Sequence, residues 1–216
     1  MNRSFFLPVI FAIVACLSVM TSWGQPVVPP KNFSILTVDA EPSMQLLRYN
    51  YSIKPTLALG GEFMHFDRGN GQYQYTYTAN ADWRAYRWNS RDWQANVYLG
   101  AGAGGAHGNF DGGSPVGRGL FQADIESRRW MLMASSHALV SPEFSHTVNM
   151  LHAGIAPYLA EYDQLGTWLT FKVQYVTEFK NEIELVPMIR LMKGNYFLEF
   201  GVSLKGEPQV DFRVIF

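Results

Sequence analysis

Apolar residues recur at every second position through most of this chain, and helical spacing is scarce. The longest such run covers residues 73–86. One parity carries Tyr73, Tyr75, Tyr77, Ala79, Ala81, Trp83 and Ala85; the other carries Gln74, Thr76, Thr78, Asn80, Asp82, Arg84 and Tyr86. At about 3.3 Å per residue this makes a strand of roughly 45 Å. Strands of soluble domains usually stop after about five or six residues, whereas a tilted strand crossing a bilayer needs about nine to eleven. The same two-faced pattern returns over 93–100, 169–175, 183–191 and 196–204, and the chain ends with Val210, Phe212, Val214 and Phe216 set against Asp211 and Arg213.

Breaks in the alternation predict turns at 40–43, 54–55, 67–71, 89–92, 103–118, 127–129, 140–146, 162–166, 177–181, 193–195 and 205–208. With a first strand at 33–39, that makes twelve strands; eight or ten longer ones are the alternative. A soluble sandwich also alternates. What separates the two is that strand after strand here pairs a dense apolar face with a face carrying charges, as a polar lumen requires. The predicted fold is therefore all-β: a closed, antiparallel, up-and-down transmembrane barrel over 33–216. The Gly-rich stretch 103–118 reads as its longest loop. Trp93 and Trp130 take outward parity just after turns, as an interfacial girdle would. Trp168 takes the opposite parity, which predicts either a bulge or a boundary off by one.

The ending Phe212, Val214, Phe216 resembles that of bacterial outer-membrane proteins, in which a terminal Phe preceded by alternating apolar residues is read by the barrel-assembly machinery. The resemblance covers 210–216 closely and the remainder only as pattern, and it names no particular family. It implies an outer-membrane location, contact with outer-membrane lipid, and a last strand that ends on the periplasmic side. Counting back from there puts 103–118 outside the cell.

The N-terminus agrees with export. Arg3, an apolar run over 5–20, and Ser22 and Gly24 at the −3 and −1 positions before Gln25 make 1–24 a signal peptide. Ile13-Val14-Ala15-Cys16 has the form of a lipobox, but the residues after Cys16 stay apolar, unlike a lipoprotein linker. Residues 25–32, with Pro26, Pro29 and Pro30, read as a linker. Cys16 is the only cysteine, so the processed chain offers no disulfide, zinc-thiolate site or thiol nucleophile. Charged residues are 16% of the chain, below the roughly 25% of a soluble domain. A formal charge of −1 leaves no basic field for nucleic acid.

Two sets of residues on the inward parity are candidates for chemistry. The first is charged: Arg48, Glu62, Asp82, Arg84, Asp124, Glu126, Lys172, Glu182, Glu184, Arg190, Glu199, Asp211 and Arg213. Opposite charges in a narrow lumen should pair, which makes either a structural ion-pair network or a pore with a mild preference for cations. The second is soft: Met131, Met133 and His137 on one strand and Met150 and His152 on the next, with Met64, Met188 and Met192 of the same parity. Thioether and imidazole suit Cu(I) or Ag(I), although Met also fills irregular interiors. The expected role is structural, or passage or sensing of a small solute, with a soft metal as one candidate. A barrel enzyme acting on envelope lipid would draw on Ser135, Ser136, His137, Ser145, His146 or His152 with Glu143, but no spacing among them matches a hydrolase motif. A soluble periplasmic β-barrel binding protein is the third reading. The glycines of 100–113 lack the strand–loop–helix context and the Lys-Ser/Thr of a phosphate cradle.

Overall fold

The computed structural model describes residues 26–69, 71–109, 113–177 and 181–216; the expected signal peptide and Cys16 lie outside them. Twelve strands are formed among the described residues: β1 (Ser34–Glu41), β2 (Met44–Lys54), β3 (Leu57–Gly69), β4 (Gln72–Asn89), β5 (Trp93–Gly108), β6 (Ser114–Ser127), β7 (Trp130–Val140), β8 (Ser145–Ile155), β9 (Gly166–Val176), β10 (Ile183–Lys193), β11 (Tyr196–Val202) and β12 (Pro208–Ile215). Each pairs antiparallel with its neighbours in sequence, and β1 pairs with β12, so the sheet closes with no free edge. The seam runs past both ends of the described chain. Ser34 and Phe216 exchange two backbone hydrogen bonds of 2.7 and 3.0 Å, which extend the β1–β12 seam.

The polarity is inside out. Leu47, Leu59, Leu169, Phe171, Ile189 and Phe200 are all at least 40% exposed on the outer face, while Asn50, Ser52, Gln74 and Asp82 are fully buried within. A water-soluble domain hides the first group and hydrates the second. Strand period two explains the arrangement: each residue that turns a Leu outward turns a polar neighbour inward. This is the polarity of a transmembrane barrel.

Several expectations need correction. The stretch 103–118 is mostly strand, since β5 runs on to Gly108, β6 begins at Ser114, and only 109–113 connect them. Its inward glycines permit a close approach of β4 to β5: a Cβ on Gly104 would lie 1.8 Å from the Tyr77 carbonyl oxygen, and one on Gly102 2.6 Å from that of Ala79. A register shift between Arg84 and Tyr86 makes Ala85 the extra residue of a bulge. Beyond it the faces exchange, and Tyr86 and Trp88 stack outward with ring centroids 5.5 Å apart. Trp168 involves no bulge: it is buried in the lumen among methionines. The connection expected at 162–166 begins earlier, because β8 ends at Ile155. The Pro-rich stretch read as a linker is packed inside the barrel mouth, with Val27 and Val28 buried against Ala58, Tyr98 and Leu120.

Candidate functional site

The lumen is the candidate site, and it is filled in tiers. At the mouth far from the termini, Met44, Met64, Phe66, Ala106, Val116, Leu139 and Phe144 form an apolar cap. Phe144 comes from the turn after β7, which is held by a Ser141–Phe144 backbone bond and carries the ring back over the opening. The His146 ring lies between Phe144 and Phe66, with centroids at 4.7 and 5.1 Å, and its Nε2 is 2.9 Å from Gln74 Oε1 on the opposite wall.

Below the cap lies a charge network centred on Glu62. Its Oε2 accepts from Arg48 Nε at 2.7 Å and from Arg118 Nε at 3.1 Å, and His137 Nε2 stands 2.8 Å from its Oε1. Arg118 Nη1 continues to Asp82 Oδ1 at 2.7 Å. The other Asp82 oxygen accepts from Asn50 at 2.8 Å and from Asn80 at 3.0 Å. The guanidinium fits because the residue beside it is Gly100, where a Cβ would lie 2.0 Å from Asp82 Oδ1 and 3.0 Å from Arg118 Nη1. The His137–Glu62 contact joins β7 to β3, so the network spans the lumen rather than lining one wall.

A second network is built on Glu199. Arg190 Nη2 lies 3.2 Å from one oxygen, while His152 Nε2 lies 3.1 Å from the other, which also accepts from the Thr170 hydroxyl. Arg213 grips Asp211 with two bonds of 3.1 and 2.7 Å. The Arg190 and Arg213 guanidiniums both lie over the Phe197 ring, at 4.7 and 5.3 Å. Gln174 reaches from β9 to both Glu41 oxygens on β1, at 3.0 and 3.1 Å. Glu184 accepts from Gln209 at 3.2 Å, and Lys172 is buried opposite His152 in the β8–β9 register.

Among the described residues the lumen holds four carboxylates on β1–β4 (Asp39, Glu41, Glu62, Asp82) and five on later strands (Asp124, Glu126, Glu184, Glu199, Asp211). Seven cations share that face: Arg48, Arg118, Lys172, Arg190 and Arg213 within the lumen, and Arg84 and Arg87 at its rim, where Arg87 is joined through Gln94 to Glu126. One residue expected in this set stands elsewhere, and one keeps the inward face only at the rim. Glu182 precedes β10 in an exposed turn, where it pairs with Lys205. Arg84 sits at the rim beside the bulge and donates to the Pro55 carbonyl at 2.6 Å.

Met131 and Met133 are buried in one cluster with Trp168 and Ala156, and Met150 and Met192 pack against it. The structure thus brings Met131, Met133 and Met150 together. It turns His137 and His152 toward carboxylates on different walls. Among the described residues no group of three or more His, Cys, Asp or Glu is arranged to hold a metal ion. Of the hydrolase candidates, Ser136 faces outward and donates to Asn149 at 2.9 Å, and Glu143 is exposed in the turn before β8.

Arg118 is the chief residue that sequence reasoning missed, because it fell inside the stretch read as a loop. Its parity with Leu120 and Gln122 was the available signal. Asn50, Asn80, Gln174 and Glu41 were missed although they share the inward parity of residues that were found.

A cavity of about 90 Å³ remains between the two networks, lined by Arg48, Asn50, Ser135, His137, Gln174 and Arg213, with Pro26 and Val27 as part of its wall. That is space for a few waters.

No family model matches the chain, and no curated protein matches it. Its structure is similar to that of a KdgM porin, with a TM-score of 0.46, 7% identity, and coverage of 85% of this chain and 98% of the other. A KdgM porin in complex with disordered oligogalacturonate gives 0.47, 9%, 85% and 96%. OmpTdeltaL8, a loop deletion mutant of an outer membrane protein of Vibrio cholerae, gives 0.32, 9%, 85% and 98%.

Proposed function

We propose that this protein is an integral outer-membrane barrel with both ends of the described chain in the periplasm. In this reading it is closed at rest and serves a structural role or controlled passage of a small solute. The observation that carries the reading is the inversion of polarity. Leu, Phe, Ile and aromatic side chains cover the outside of a sheet whose inside holds buried ion pairs. Lipid is the solvent that suits such an exterior, and a closed barrel satisfies every strand's backbone within it. The same exterior weighs against a soluble binding protein. Tyr86, Trp88, Trp93 and Trp130 lie exposed near the terminal mouth, where a periplasmic interface girdle belongs.

Closure at rest is supported by the apolar cap, by contacts that cross the lumen such as His137–Glu62 and Gln174–Glu41, and by the packed N-terminal segment. Expression in a Gram-negative host tests the location. The protein should fractionate with the outer membrane and migrate faster on a gel when unboiled than when boiled. Recovery in the periplasmic extract without detergent would refute the reading.

A further inference from the structure

We propose that residues 26–31 are a removable stopper that controls access from the periplasmic mouth to a lumen chamber favouring cations. The inference rests on the membrane-barrel reading above. Pro26, Pro29 and Pro30 lack backbone donors, so the stretch cannot complete a ladder. It lies inside the barrel as a separate strap, and its carbonyls are met by side chains of β2. Asn50 Nδ2 donates to the Val27 carbonyl at 3.0 Å, and Ser52 Oγ donates to that of Pro29 at 2.7 Å. Two valines complete the hold: Val27 and Val28 are 5% and 1% exposed, against Ala58 on β3, Tyr98 on β5 and Leu120 on β6. The strap can therefore leave without parting any pair of strands.

Pro26 and Val27 form part of the wall of the 90 Å³ cavity, whose other walls include Arg48, His137 and Gln174. Pro26 also lines a second, smaller opening at the rim beside Met192, Gly194 and Phe197. Withdrawal of the strap joins the two and opens the chamber toward the periplasm, while the cap around Phe66 and Phe144 still closes the far mouth. Nine carboxylates against seven cations on the inward face leave an acidic excess of two, and a fixed acidic excess within low-dielectric walls concentrates cations.

The test places a reporter thiol in the chamber. Ser135 lines the cavity and has no part in either charge network. Ser135→Cys is made in a chain with Cys16→Ala and labelled with a cationic or an anionic methanethiosulfonate. With the strap in place both reagents should react slowly. Val27→Asp with Val28→Asp adds two carboxylates to an already acidic lumen and should expel the strap. Labelling by the cationic reagent should then rise about tenfold or more, in proportion to the open fraction, with the anionic reagent lagging. Ser52→Val, which removes the clamp on Pro29, should shift the rate the same way if the double variant does not fold. Unboiled gel mobility reports folding, and membrane fractionation reports the barrel reading separately. Equal rates in parent and folded variants would overturn the stopper. Equal acceleration of both reagents would overturn the preference for cations.

Discussion

Glu62 shows how much a single lumen residue carries. One carboxylate faces Arg48, Arg118 and His137, and the Arg118 and Glu62 side chains are almost wholly buried. Replacing it with Leu leaves Arg48 without its carboxylate and Arg118 with Asp82 alone, and breaking a buried pair from one side costs about 3–5 kcal/mol. Urea unfolding of the refolded barrel in vesicles should show a loss of that size for Glu62→Leu, and a smaller loss when Arg48→Met accompanies it. A loss no smaller in the double variant would show that the pair is not coupled. At this scale parity made much legible: Glu62, Asp82, Lys172, Arg190, Glu199, Asp211 and Arg213 all face inward as their alternation requires. It could not reveal which charge pairs with which, because partners such as His137 and Glu62 stand four strands apart. The carboxamides that finish the networks carry no charge to mark them, so Asn50 and Gln174 look like ordinary polar positions in the text.

The strands were legible where large and small, apolar and polar residues alternate without interruption, as in β9 and β10. Legibility failed where the side chain that marks a face is missing. Midway along β5 the inward positions become Gly100, Gly102 and Gly104, so the stretch from 103 reads as a loop although it continues one of the longest strands. It failed again at Ala85, where the alternation reads straight through to Tyr86 and only the pairing with β5 shows the bulge. The connections between strands predicted from turn residues otherwise coincide with the observed ones to within a few positions. The outward faces give a prediction for the elements themselves. Ile189 sits mid-strand on the outer face of β10, and Leu204 lies just past the end of β11. Ile189→Arg should destabilise the barrel by about 2–4 kcal/mol and Leu204→Arg by about 0–1 kcal/mol, following depth in the bilayer. Urea midpoints in vesicles measure both, and equal losses would argue against a lipid-facing β10.

For the molecule as a whole, closure was legible and occlusion was not. An apolar face repeated on strand after strand, set against a face carrying charges, already pointed to a barrel. That the Pro-rich N-terminal stretch lies within it depends on contacts between Val27, Tyr98 and Leu120, residues far apart in sequence and unremarkable alone. The tiers of cap, charge networks, methionine cluster and strap together make an interior closer to a packed core than to a water-filled pore. A labelling scan along β9 in lipid vesicles tests the inverted polarity most directly. Single cysteines at Leu169, Phe171 and Val173, and at Thr170, Lys172 and Gln174, would each carry a small environment-sensitive fluorophore. The account predicts quenching by a bromolipid at 169, 171 and 173 and protection at 170, 172 and 174. Quenching in the opposite phase, or by an aqueous quencher alone at all six, would contradict it.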